Sequence, residues 1–316
     1  MKLSKLITYK NMVDGLSVKH VYDEIFQLLK EVNTNLDIEQ FDFDNIKEEI
    51  RKNSDDIKIS MDNIDNHLQK FKENLEKFFD SIEEPYYTKS QEIYKEGLND
   101  TPEYILDQYT FKKLIYDEDT FNFFINRIKL YVNWKWPAVE IRPAIGDFTD
   151  FLTGCDPLYL VDTDEDLFYQ VKKLWTPEYQ RRVRYYTINE SYKNPLGSLP
   201  QNQIGLILAV NFFNFRPLDL IDSYLRNIFQ LLRPGGTALF TYNNCDYPIG
   251  VDNFEKSYYC YTPGRQIKDL CAKHGFRILA SFDMDNNVSW LELQKPGNNT
   301  SLRGGQSLAR IESLTK

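Results

Sequence analysis

The 316-residue chain is 42% hydrophobic and 15% aromatic, which excludes an intrinsically disordered protein, and its length favours about two domains. Its formal net charge is −9, and the acidic excess lies in residues 1–133, which hold 27 acidic and 18 basic side chains, against 20 of each in residues 134–316. Neither part has the basic excess that binding a phosphate backbone usually requires, so a nucleic-acid partner is disfavoured.

Residues 1–84 are predicted to form a helical coiled-coil region. Ser17 suits the N-cap of a short helix, and a second, longer apolar series follows with steps of mostly four and three residues. Its members are Ile46, Ile50, Asn53, Ile57, Met61, Ile64, Leu68, Phe71, Leu75, Phe78 and Ile82. The pattern predicts one long helix that Pro85 ends. Because a helix cannot cover its own apolar stripe, the stripe either joins identical chains into a homo-oligomer or packs against another helix of the same chain.

Residues 85–133 are interpreted as a helical connector. The sequence Thr101-Pro102-Glu103 has a capping residue followed by proline at the first helical position. A further helix starting near Asp119 would place Phe121 and Phe124 on one face and lead into the first strand.

Residues 134–296 alternate strand and helix patterns. Strands are predicted at 138–142, 158–161, 183–188, 204–210 and 237–242, and a hairpin at 276–282 and 288–294. The alternation predicts an α/β domain with a doubly wound, mostly parallel seven-stranded sheet that closes in an antiparallel hairpin. Residues 242–261 are interpreted as a loop over the carboxyl ends of the strands, which either binds a ligand or makes subunit contacts. Residues 297–316 are expected to form a flexible tail.

Four features occur in a fixed order in this domain. Residues 139–149 read VEIRPAIGDFT, Asp162 ends the second strand, LLRPGG stands at 231–236 before the fifth strand, and YTP at 261–263 begins the helix before the hairpin. Together they resemble the class I S-adenosylmethionine-dependent methyltransferases, over about half of the chain. The resemblance implies a Rossmann-like fold with S-adenosylmethionine bound at the switch point of the sheet.

The resemblance also implies roles for individual residues near the carboxyl ends of the strands. The cofactor would be bound by Glu140, Ala144, Gly146, Asp162, Asn189, Asn211 and Phe212. Asp162 would accept the ribose hydroxyls and Asn189 would face the adenine. Asn211 and Phe212 would border the methionine tail and the methyl acceptor. No general base stands out. Because positioning supplies much of the rate of methyl transfer, this absence neither supports nor excludes activity.

The first motif departs from the family at two of its three expected glycines, which are Arg142 and Ala144 here. The methyl of Ala144 suits the turn if φ is negative. Arg142 either pairs with Glu140, Asp147 or a ligand carboxylate, or fills the pocket. Two functions therefore stay open. One is a methyltransferase acting on a small molecule, a glycan or a protein, and the other is a catalytically inactive methyltransferase-like domain that serves as a structural or assembly protein of a larger complex.

The remaining signals concern metals and location. The four cysteines have no CxxC spacing and form no ligand pattern with the three histidines, so buried thiols in a reducing compartment are expected, and no metal site. The chain has no apolar signal core at its amino terminus and no run of about 18 apolar residues. We therefore expect a cytoplasmic protein with no membrane partner.

Overall fold

The computed structural model describes residues 3–14, 57–97, 116–163, 165, 168–173, 175–190, 193–256, 259–284 and 288–297. Its seven strands are β1 (Ala138–Ile141), β2 (Leu158–Asp162), β3 (Val183–Thr187), β4 (Ile204–Ala209), β5 (Leu232–Asn243), β6 (Arg277–Asp283) and β7 (Val288–Gln294). Its helices are α1 (Leu3–Asp14), α2 (Ile57–Gly97), α3 (Glu118–Tyr131), α4 (Phe168–Lys172), α5 (Pro177–Gln180), α6 (Leu218–Leu231), α7 (Pro248–Lys256) and α8 (Gly264–Lys273). Short 3-10 helices span Thr149–Leu152 and Phe213–Phe215.

The strands form one sheet in the order β3-β2-β1-β4-β5-β7-β6. Strands β1 to β5 pair in parallel, and β7 pairs antiparallel with both β5 and β6. This confirms the predicted seven-stranded α/β sheet with an antiparallel carboxy-terminal pair. Because β1 pairs with β2 on one side and β4 on the other, the switch point lies at the carboxyl end of β1.

Both faces of the sheet are covered, as the apolar sequences of β1 and β4 predict for central parallel strands. Successive residues of β1 serve opposite faces, so Val139 packs in a core with Leu225 of α6, whereas Ala138 packs in a core with Phe124 of α3. The ring of Phe124 also stacks on Trp290 of β7 at 4.6 Å. Helix α3 thus covers one face, as its apolar periodicity predicts.

The apolar stripe of α2 packs within the chain over its described side chains. Leu68, Phe71, Leu75 and Phe79 are at most 4% exposed, and they share a cluster with residues of α1 and α7. Of the two expected arrangements, this part of the stripe therefore has the intramolecular one. Residues 15–56, which include the first part of the predicted coiled coil, lie outside the described residues, as does the predicted tail from 298, so self-association stays a prediction. Among the described helices, none has the length and apolarity needed to cross a membrane.

The prediction that Pro85 ends the long helix is wrong, because α2 continues through it to Gly97. Buried contacts with the sheet domain lie on both sides of the proline. The Glu83 carboxylate accepts hydrogen bonds from the Tyr261 hydroxyl (2.8 Å) and Arg265 (2.5 Å), and Ser90 Oγ accepts one from the Tyr261 backbone N–H (2.7 Å). These contacts offset the helical hydrogen bond that proline removes.

The interpretation of residues 242–261 as a loop is also wrong in part, because Pro248–Lys256 forms α7. Val251 and Phe254 of this helix are buried against α1 and α2. The side-chain amide of Asn11 in α1 donates to the Asp246 carbonyl (2.8 Å). The segment is therefore an anchor for the amino-terminal helices.

Candidate functional site

The turn after β1 keeps the left-handed backbone conformation at all three positions where the resemblance implies glycine. The φ angles are +58° at Arg142, +53° at Ala144 and +95° at Gly146. The condition of a negative φ at Ala144 is therefore not met, and both non-glycine residues are strained by about 1–2 kcal/mol each. Backbone hydrogen bonds hold the turn, from Arg142 N to Val161 O (2.7 Å) and from Gly146 N to Pro143 O (2.9 Å).

The side chain of Arg142 spans the carboxyl ends of β2 and β4. Its Nε lies 3.9 Å from Asp162 Oδ1, and its guanidinium carbon lies 5.2 Å from the centre of the Phe212 ring. All three residues are at most 2% exposed. The guanidinium therefore occupies the crevice at the switch point. One carboxylate near it is that of Asp162, a partner that the sequence did not suggest.

The other predicted site residues divide into buried and exposed ones. Glu140 lies in the interior of β1 at 0% exposure, and Ala144 is 3% exposed. Gly146 is buried in the turn, whereas Asn189 is exposed after β3. The Asp162 carboxylate also accepts a hydrogen bond from the backbone N–H of Thr163 (2.7 Å). The structure thus brings Arg142, Asp162 and Phe212 together and leaves Asn189 at the surface.

Asn211 follows β4 in a left-handed conformation with φ +52° and is fully buried. Its backbone N–H donates to Thr241 Oγ1 of β5 (2.7 Å). Within the part of the chain that the structure describes, neither polar atom of its side-chain amide has a hydrogen-bonding partner. A buried amide without a partner costs about 1–3 kcal/mol and calls for an explanation.

A buried ionic cluster beside this crevice was missed by the sequence analysis. Arg216 donates two hydrogen bonds to Glu190, from Nε (2.9 Å) and Nη2 (2.8 Å), and the two side chains are 1% and 4% exposed. The hydroxyls of Tyr224 (2.7 Å) and Tyr94 (3.0 Å) also donate to Glu190. The signal in the sequence was an acidic residue directly after Asn189, near the end of β3. Tyr94 belongs to α2, so the cluster ties the amino-terminal helix to the sheet.

Electrostatics keep this cluster ionised. Burial by itself would raise the pKa of the Glu190 carboxyl, but the charge and hydrogen bonds of Arg216 outweigh burial and hold that pKa below its ordinary value. The Arg216 guanidinium lies 4.2 Å from the centre of the Phe212 ring, which also contacts Arg142. Phe212 therefore joins the ionic cluster to the side chain in the crevice, and cation–π contacts of this kind strengthen when desolvated.

The described residues contain no group of three or more His, Cys, Asp or Glu side chains suited to a metal ion. The four thiols, of Cys155, Cys245, Cys260 and Cys271, are all buried, as the sequence analysis predicted. Burial raises the pKa of the Cys271 thiol to about 12, so it is not an activated nucleophile.

The side chains in the crevice do not fit S-adenosylmethionine in this arrangement. The carboxylate that would accept the ribose hydroxyls is buried beside Arg142 and already bonded to Thr163. The Arg142 guanidinium lies 5.2 Å from the centre of the Phe212 ring at these strand ends, and both side chains are buried. The turn keeps the left-handed backbone at Arg142, Ala144 and Gly146, and the Arg142 side chain lies beside Asp162.

No family model and no curated protein matches the chain. Solved structures that match it include S-adenosylmethionine-dependent methyltransferases from three organisms. The protein from Mesorhizobium loti is 11% identical with a TM-score of 0.44, over 54% of this chain and 96% of that one. The protein from Methanosarcina mazei is 11% identical with a TM-score of 0.43, over 54% and 98%. The protein from Aquifex aeolicus is 12% identical with a TM-score of 0.38, over 65% and 97%.

The α/β part of this chain resembles the class I S-adenosylmethionine-dependent methyltransferases. The motifs quoted above and the closing antiparallel pair of the sheet carry this resemblance within the chain itself. A shared fold conveys neither an activity nor a substrate. The function of this chain therefore depends on the residues of its site and not on its fold.

Proposed function

We propose that this chain is a catalytically inactive, methyltransferase-like protein that acts as a structural or assembly component of a larger complex. One observation carries the proposal, namely that the side chain of Arg142 lies between Asp162 and Phe212 in the crevice at the switch point. A cofactor would have to displace a buried cation from a buried carboxylate. Separating such a pair costs about 3–5 kcal/mol, which would weaken cofactor binding by roughly two to four orders of magnitude.

The anchoring of α2 supports the same proposal. Tyr94 donates to Glu190 beside the crevice (3.0 Å), and Glu83 accepts from Arg265 (2.5 Å) near the carboxyl end of β5. The long helix is thereby fixed along the edge of the sheet at which Rossmann-like enzymes admit their ligands. Such bracing suits a rigid structural unit.

A second candidate is an S-adenosylmethionine-dependent methyltransferase in which Arg142 leaves the crevice. Two observations favour it, the buried side-chain amide of Asn211 described above and the left-handed turn that persists at Arg142, Ala144 and Gly146. Strain of this kind is usually kept where it serves a function. The acceptor would be a small molecule, a glycan or a protein.

Calorimetric titration of S-adenosylmethionine into the full-length protein separates the two candidates. We expect no heat of binding to the natural protein up to millimolar ligand. Micromolar binding that Asp162→Asn weakens at least tenfold would overturn the proposal and support the methyltransferase. Thr163→Ser, which keeps the backbone donor to Asp162, is the matched control.

A further inference from the structure

The amino-terminal edge of the sheet exposes two tryptophans in one short loop. Trp134 is 72% exposed and Trp136 is 38% exposed, just before β1. Both lie on the edge opposite to the crevice, so neither belongs to the site described above. Tryptophan is mostly buried in folded proteins and is enriched at the centres of protein interfaces.

The loop is held in a defined conformation. The backbone N–H of Lys135 donates to Asn133 Oδ1 (3.0 Å), and that of Trp136 donates to the Asn133 carbonyl (3.1 Å). The guanidinium of Arg233 stacks on the Trp136 ring at 4.0 Å. A partner that binds here would need little reordering of the loop, and such preorganisation favours affinity.

Cations surround these rings. Lys135 lies over the Trp134 ring at 5.4 Å, and Arg233 lies on the Trp136 ring. Arg182 precedes β3, which is two strands from β1 in the sheet, or about 10 Å. Arg182 is paired with Asp156 (3.3 Å). We name Trp134, Lys135, Trp136, Arg182 and Arg233 the amino-edge patch. Its aromatic and basic character calls for an acidic partner.

An acidic surface lies on α2 of the same chain. The side chains of Glu73, Glu76, Asp80 and Glu84 are exposed, and their spacing of three and four residues places them on one face of the helix. The exposed Lys77 lies on the same face, so four carboxylates and one ammonium group leave it acidic. We name these residues the acidic stripe. Asp80 lies 3.9 Å from Arg265, whose contact with Glu83 is near the carboxyl end of β5. The acidic stripe and the amino-edge patch are thus at opposite edges of the sheet, and one chain cannot join its own two surfaces.

We propose that the amino-edge patch binds the acidic stripe of a second copy of this chain. The two surfaces differ, so the contact is heterologous and head to tail, and it generates a ring or a filament. This inference deepens the proposed assembly function and rests on it, because it names the partner. It differs from the predicted coiled coil, in which the apolar stripe would join the chains.

Sedimentation of the full-length protein over a range of concentrations tests the proposal. We expect reversible self-association that weakens when the ionic strength rises to about 0.5 M, where screening is effective within about 4 Å. Trp134→Ser should weaken it at least about tenfold, and the exposed side chain makes misfolding of this variant no concern. Tyr169→Ser, which changes another exposed aromatic residue (62% exposed), is the matched control and should leave association unchanged.

A charge exchange makes the test specific for the two surfaces. The variants Lys135→Glu/Arg233→Glu and Glu76→Lys/Glu84→Lys should each be monomeric, since each pairs like charges. Mixed in equal amounts they should associate again, because each reversed surface meets an opposite charge. A monomeric natural protein, association that survives Trp134→Ser, or a mixture that stays monomeric would each overturn the inference. The titration of S-adenosylmethionine reports on the proposed function independently of these results.

Discussion

Replacing Arg142 with glycine separates two energies that this side chain brings to the turn after β1. The substitution removes the cation that lies 3.9 Å from the buried Asp162 carboxylate. Breaking a buried pair costs about 3–5 kcal/mol, and this long separation favours the lower figure. Glycine relieves about 1–2 kcal/mol of strain at φ +58°. It also destabilises the folded state by about 0.5–1 kcal/mol, because the unfolded chain becomes more flexible. The net expectation is a free energy of unfolding lower by about 2–3 kcal/mol.

The matched variant Arg142→Ala removes the same guanidinium but keeps the strained backbone. The free energies of unfolding of the two variants therefore differ by the backbone strain of alanine minus the entropic cost of ordering glycine. The glycine variant should be more stable by about 0.5–1 kcal/mol. At positions with a negative φ, alanine is instead the more stabilising of the two residues. The pair of variants thus measures the left-handed conformation directly.

Urea unfolding followed by tryptophan fluorescence and circular dichroism provides the free energies. Both variants are compared with the natural protein under identical conditions. A glycine variant as stable as the natural protein would refute the view that Arg142 and Asp162 stabilise each other in the crevice. An alanine variant more stable than the glycine variant would refute the strained turn.

Two further predictions concern the contacts that hold α2 and the ionic cluster. Glu83→Gln should lower the free energy of unfolding by about 1–3 kcal/mol, because it removes the charged acceptor of Tyr261 and Arg265 while Arg265 keeps its contact with Asp246 (3.1 Å). The exposed neighbour variant Glu84→Gln should change it by less than about 0.5 kcal/mol, and equal effects in urea unfolding would contradict the contact. Because the folded-state pKa of Glu190 lies below its ordinary value of 4.5, its contribution to stability is complete above that value and is lost as the pH falls through the lowered pKa. Below pH 4.5 the free energy of unfolding of the Glu190→Gln variant should therefore fall less with pH than that of the natural protein. If the two proteins show the same pH dependence, Arg216 does not lower the pKa of this carboxyl.

Most of the sheet could be predicted from the sequence because its strands are local patterns. The apolar run at β4 and the alternation at β7 are each complete within six or seven residues. The start of the fifth strand was predicted wrongly at residue 237, because Pro234 and the two glycines after it lie within β5, which begins at Leu232. The order of these patterns sufficed for the fold class.

The errors lie where contacts distant in the chain outweigh local preference. The helix crosses Pro85 because Glu83 contacts Arg265, which is 182 residues away. The contact between Tyr94 and Glu190 joins residues 96 apart, and no local pattern encodes it. The positive φ of Ala144 was missed for a related reason, since only the surrounding turn imposes a conformation that alanine disfavours.

The route by which α2 is covered has a consequence for the chain during its synthesis. Four apolar side chains of this helix pack in part on residues 245–261, and the bond from Tyr261 to Glu83 joins residues 178 positions apart. At about 5–20 residues per second, the ribosome needs roughly ten to forty seconds to deliver that surface. For this interval part of the apolar face of the nascent helix is exposed to other chains. It is fully buried only when residues 245–261 have been synthesised.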